Sequence, residues 1–161
     1  MILRNLRIGN RQVRGVLTKP KDNKSYSPHI LREAHIANPF AVRSGEVLFD
    51  HIGSESYILV YDRSIGKFKI FIALRCNVTI SVLEPIVSIH PVSKLKTYDE
   101  PTEPKEILAC RYDVFSEVES ERYLSVTKFC IAGKINPQAK INEKGIKNLI
   151  YKNGISEFEV A

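Results

Sequence analysis

Apolar and polar positions alternate along most of the chain, and that period of two predicts strands. Residues 57–61 and 67–74 flank Asp62–Gly66 and predict a hairpin, with Lys67 and Lys69 toward water and Phe68 and Ile70 toward a core. Residues 78–83 and 86–90 repeat the pattern around Glu84-Pro85, so the simplest product is a four-stranded antiparallel sheet. Near the start, Leu6 and Ile8, then Val13, Val16 and Leu17, predict two short strands about a Gly9-Asn10 turn. Near the end, residues 149–151 and 155–160 flank Asn153-Gly154, a pair that readily supplies the positive φ angles of a tight turn. Residues 107–115 predict a further strand, and 122–132 suit a helix or a strand. Residues 94–105 read as an exposed connector and 134–147 as loop, and no internal repeat is evident.

One stretch departs from this period. Ser27 can cap a helix whose first position is Pro28, and Ile30, Leu31 and Ala34 give that helix an apolar side. Asn38-Pro39 ends it. Phe40 and Val42 then lead to a Ser44-Gly45 turn and a buried strand at 47–49. The expected fold is therefore α+β, predominantly antiparallel β with a small helix-turn-strand element near the N-terminus. The expected units are a basic arm of strands at 1–26, the helix-turn-strand element at 27–52, a β meander at 53–95, and an acidic connector with a C-terminal hairpin region at 96–161.

The order of Ile30, Leu31, Ala34, Ile36, Asn38, Pro39, Val42, Gly45 and Leu48 resembles the second half of a LysM module. Each matched residue has a mechanical role there: apolar residues fill a small core, Asn-Pro stops the helix, and glycine permits the turn. The chain departs from the family at His35 and at Asp50-His51, and the first half of such a module has no counterpart ahead of Ser27. A LysM-like element in a β-rich chain resembles the baseplate wedge protein of T-even-like contractile-tailed phages. Arg122-Tyr123-Leu124, Asn136-Pro137 and residues 150–155 are similar to the closing pattern of such proteins. The resemblance implies a virion structural protein that docks neighbouring baseplate proteins in a multi-copy assembly, put together in the host cytoplasm.

Charge sharpens the picture. The net charge of +6 is segregated, because residues 1–27 hold seven Lys or Arg against Asp22. From Asp99 to Glu121 there are eight acids and two bases, and from Arg122 to Lys152 seven bases and one acid, Glu143. Arg4, Arg7, Arg11, Arg14, Lys19, Lys21 and Lys24, with Phe40 as an apolar anchor, are the candidate partner-binding residues. Tyr57, Tyr61 and Phe115 are further candidate anchors. In 161 residues, 43% hydrophobic, there is enough apolar material for a core. The N-terminus lacks the apolar region of a signal peptide, so a soluble, unprocessed chain without membrane contact is expected. Cys76, Cys110 and Cys130, each in an apolar run, predict buried reduced thiols.

No residue pattern points to catalysis. His29, His35, His51 and His90 have no metal-ligand spacing to one another or to a cysteine pair. Glu117, Glu119 and Glu121 alternate without a histidine nearby, and Asp62 with Lys67 and Lys69 imitates a nuclease triad poorly. The chain reads as a non-enzyme with no cofactor and no metal. Two alternatives to the assembly reading are a LysM protein that binds glycan or peptidoglycan and a small basic nucleic-acid binder using residues 1–27.

Overall fold

The computed structural model describes residues 2–20, 30–37, 41–99, 103–118 and 122–161. Its strands, in chain order, are β1 (Arg4–Ile8), β2 (Arg11–Thr18), β3 (Leu31–Ala37), β4 (Val47–Asp50), β5 (Glu55–Ile65), β6 (Phe68–Arg75) and β7 (Val78–Leu83), followed by β8 (Ile86–Ile89) and β9 (Lys96–Asp99). Then come β10 (Lys105–Val118), β11 (Arg122–Ala132), β12 (Lys140–Ile141), β13 (Lys144–Lys152) and β14 (Ile155–Val160). Among the described residues there is no helix, so the fold is all-β and the expected α+β class is wrong.

The expected helix is the source of that error. Leu31–Ala37 is a strand, paired with β2 from Glu33 to Ile36 and with β6 along its whole length. Ala34 and Ile36 are buried in one apolar cluster, whereas Leu31 is buried with Ile30 in another. A strand buried on both faces thus places apolar residues at 30, 31 and 34, the spacing that a helix face would also show. The Ser27 cap, the Asn38-Pro39 stop and Phe40 lie outside the described residues.

The strands close into two six-stranded barrels. The first runs round in the order β1-β2-β3-β6-β5-β4 and the second in the order β7-β10-β11-β14-β13-β12, with β1 against β4 and β7 against β12 completing the circuits. These orders are the same topology used twice. Among the described residues the difference in element sequence is β8–β9, inserted between the first and second strands of the second barrel, where the first barrel has the Gly9-Asn10 turn. The duplication leaves a trace in the chain as well. Asn38-Pro39-Phe40-Ala41 and Asn136-Pro137-Gln138-Ala139 both fall between the third and fourth strands of their barrels.

Three apolar clusters hold the structure. Leu6, Val13, Leu48, Leu59 and Phe71 fill the first barrel, and Ile80, Val82, Ile131, Ile141 and Phe158 fill the second. The third lies between the barrels, where Leu31, Ile58 and Leu74 of the first pack with Cys110, Cys130 and Ile155 of the second. Strands β3, β5 and β6 are therefore apolar on both faces, one toward their own barrel and one toward its neighbour.

Strands β5 and β6 pair as a hairpin, but Asp62–Ile65 of the expected loop belong to β5, so the turn is confined to Gly66-Lys67, and the meander does not continue. Strand β7 pairs with β10 and β12, and β8 pairs with β9, whose residues lie in the expected connector. A period of two marks a strand without naming its neighbour. Residues 122–132 resolve as strand β11, and the C-terminal hairpin turns at Asn153 and Gly154, both with positive φ. Within 134–147, read as loop, β12 and the start of β13 are strands.

Candidate docking surface

The residues singled out from the sequence mostly serve the fold. Ala34, Ile36, Val42 and Leu48 are buried inside the first barrel, and Ile30 and Leu31 are buried between the barrels. Gly45 lies in a turn with φ +87°, in backbone contact with Gly154. The basic residues of β1 and β2 are also engaged. Arg4 donates to the Asp50 carboxylate at 2.7 Å, and Arg11 reaches Glu46 at 2.6 Å and the Ala41 carbonyl at 2.7 Å. The Arg7 guanidinium sits 4.9 Å from the centroid of the Phe49 ring. Together they tie the β1–β2 hairpin to β4 and the turn before it. Arg14 and Lys19 are exposed, whereas Lys21 and Lys24 lie outside the described residues.

The candidate anchors separate in the same way. Tyr57 is buried, because it shares with Leu59 the face of β5 that points into the barrel. Its hydroxyl donates to Glu55 at 2.5 Å, and burial with that carboxylate pushes the phenol up to about 12. Tyr61 is half exposed, stacked edge-on to Phe71.

The cysteines, far apart in sequence, converge between the barrels. Cys110 and Cys130 are directly opposite each other on β10 and β11, and Cys76 packs against the same cluster. All three are free thiols. Burial raises Cys76 to about 11 and Cys110 to about 12, and raises Cys130 further. Protonated, buried thiols act as small apolar side chains. Among the described residues no group of three or more His, Cys, Asp or Glu could hold a metal ion.

The surface that stands out is the inserted hairpin. Among the described residues β8 and β9 pair only with each other, and every residue of β8 is exposed. Ile86, Val87 and Ile89 are exposed on the strand, and Val92 and Leu95 at the tip are 85% and 71% exposed. The tip nevertheless has a built geometry. The His90 ring nitrogen Nδ1 accepts from the Val92 and Ser93 amides at 3.3 and 3.1 Å, and the His90 amide donates to Leu95 at 2.9 Å. Alternation marked residues 86–90 as core strand because it reports apolar character, which a docking arm shares with a core. The missed signal was the five apolar residues at 86, 87, 89, 92 and 95 lying between Pro85 and a run of charge.

Comparison of the sequence with protein-family models and curated proteins, and of the fold with solved structures, finds no match.

Proposed function

We propose that the chain is a non-catalytic assembly protein that docks on a partner through the β8–β9 hairpin. The observation that carries this reading is the exposure of Ile86, Val87, Ile89, Val92 and Leu95 on a ribbon that, among the described residues, pairs with no other strand. A two-stranded hairpin is marginal by itself in water, and clustered exposed apolar residues on a soluble protein mark an interaction surface. The two barrels, joined through a common core, form the rigid base from which the ribbon projects.

A contractile-tail baseplate is the first assembly against which to test this, although the described apolar residues of the LysM resemblance serve here inside the first barrel or between the barrels. The glycan-binding alternative loses the helix on which it depended. The nucleic-acid alternative relied on the N-terminal arginines, and Arg4, Arg7 and Arg11 are directed to Asp50, Phe49 and Glu46.

The test replaces residues 86–99 with an Asn-Gly turn and compares affinity capture from the native source by the intact and shortened chains. A discrete set of structural proteins should be recovered by the intact chain and lost with the variant, whose melting temperature should stay close to that of the parent. Nucleic acid or glycan retained equally by both chains would overturn the proposal.

A further inference from the structure

A groove of about 410 Å³ separates the hairpin from the second barrel, within the size range of ligand sites. Val87 and Lys96 line it from the ribbon, and Lys134, Ile135, Asn136 and Pro137 line it from the loop joining β11 to β12. Ile135 is buried and belongs to the barrel core, so the floor is fixed.

Among the described residues, the polar side chains that line the groove, Lys96, Lys134 and Asn136, each carry N–H donors. Lys96 and Lys134 are exposed, and among the described residues neither has an ion-pair partner. The Lys134 ammonium lies 5.9 Å from the centroid of the Tyr151 ring, which positions it at the wall of the groove. The Asn136 Oδ1 already accepts from the Gln138 amide at 2.9 Å, leaving its side-chain N–H groups to donate. Among the described residues no carboxylate lines the groove.

Strand register explains how the ribbon contributes. Val87 is opposite Tyr98 and Ile89 is opposite Lys96, so Val87, Ile89 and Lys96 share one face. Asp99, opposite Ile86, falls on the other. The face toward the barrel is therefore apolar and cationic. Among the described residues the outer edges of β8 and β9 keep their backbone groups unpaired by any other strand, which is the arrangement that adds an extended peptide as a further strand.

Building on the reading of the hairpin as a docking element, we propose that this groove takes an extended acidic and aliphatic segment of a partner protein. Its carboxylates meet Lys96, Lys134 and the Asn136 amide, and its alternate aliphatic side chains rest on Val87, Ile135 and Pro137. Charge complementarity sets the choice of segment, and the apolar floor supplies the adhesion.

The probe is a fluorescein-labelled octapeptide of alternating Glu and Val, with a Lys and Val counterpart, titrated by fluorescence anisotropy. The intact chain should bind the Glu peptide and discriminate against the Lys peptide, and the double variant K96E/K134E should bind the Glu peptide about tenfold or more weakly. Both lysines are exposed, so the variant keeps its fold, checked by circular dichroism. Equal binding of the two peptides, or indifference to the reversal, would overturn the proposal. Self-association of the intact chain that the reversal abolishes would assign the groove to a second copy and overturn it too. Partner capture lost with residues 86–99 but unaffected by the reversal would remove this inference alone. Capture that survives loss of the hairpin would remove the docking reading beneath it.

Discussion

Gly45 and Gly154 meet backbone to backbone, one from each barrel. A Cβ on Gly154 would lie 2.6 Å from the Ser44 carbonyl oxygen, and one on Gly45 would meet the Gly154 carbonyl oxygen closer still. Both have positive φ, +87° and +75°, so a side chain is opposed by local sterics as well as by its neighbour. Gly45→Ala should cost about 3 kcal/mol, combining the left-handed penalty with overpacking. Gly66, at φ +55° with open space around it, should cost only about 1 kcal/mol on the same change. Urea denaturation of the two variants measures the difference, and equal losses would show that the glycine contact contributes nothing.

The cluster between the barrels should make them unfold together. Leu74→Ala, at a fully buried position shared with Ile58, Leu31 and Ile155, should lower stability by about 3 kcal/mol. Far-UV circular dichroism and tyrosine fluorescence should report one coincident transition in the parent chain. Two separated transitions would mean that each barrel stands alone.

Thiol chemistry gives an independent reading of the same core. With their ionisation pushed upward by burial, Cys76, Cys110 and Cys130 should resist Ellman's reagent in the native protein at pH 8. All three should react once the protein is unfolded in guanidinium. Rapid native labelling of Cys110 or Cys130 would contradict their placement.

Tyr57 should titrate late in an absorbance titration, near pH 12 against an ordinary value of about 10. Burial is the larger cause and the Glu55 hydrogen bond the next. Because folding favours the protonated phenol, its contribution to stability is full below pH 10 and is lost as pH rises through 12. Glu55→Gln should bring the Tyr57 midpoint down, and an unchanged midpoint would mean that burial acts alone.

The arginines of the first hairpin should prove structural. Arg4→Ala leaves the buried Asp50 carboxylate with the Ile52 amide as its remaining donor and should cost about 2 kcal/mol in urea denaturation. Arg11→Ala, at a more exposed pair, should cost about 1 kcal/mol or less. Equal and negligible losses would return both residues to the partner surface.

How far the sequence carries can be seen in single positions. Gly9-Asn10 and Asn153-Gly154 mark their turns correctly because positive φ is a local demand that few residues meet. Ile70 is buried as its alternation requires. Leu31 misled because its burial is against the other barrel, a surface that no window of the chain contains. Arg4 misled for a related reason, since its carboxylate lies 46 residues away. The duplication of the barrels was missed, because the recurrence of Asn-Pro-x-Ala at 38–41 and 136–139 is too short to register as an internal repeat. The exposure of the β8–β9 hairpin was not legible, because exposure belongs to the tertiary structure and Ile86 or Val87 would be equally at home in a core.

The shared topology of the barrels makes Gly9-Asn10 and the β8–β9 hairpin alternative closures of one and the same connection. A two-stranded ribbon can thus be exchanged at that point without altering the circuit of strands, and the first barrel offers a socket of the same kind. Grafting residues 84–104 between Ile8 and Arg11 would turn a one-armed scaffold into a two-armed one.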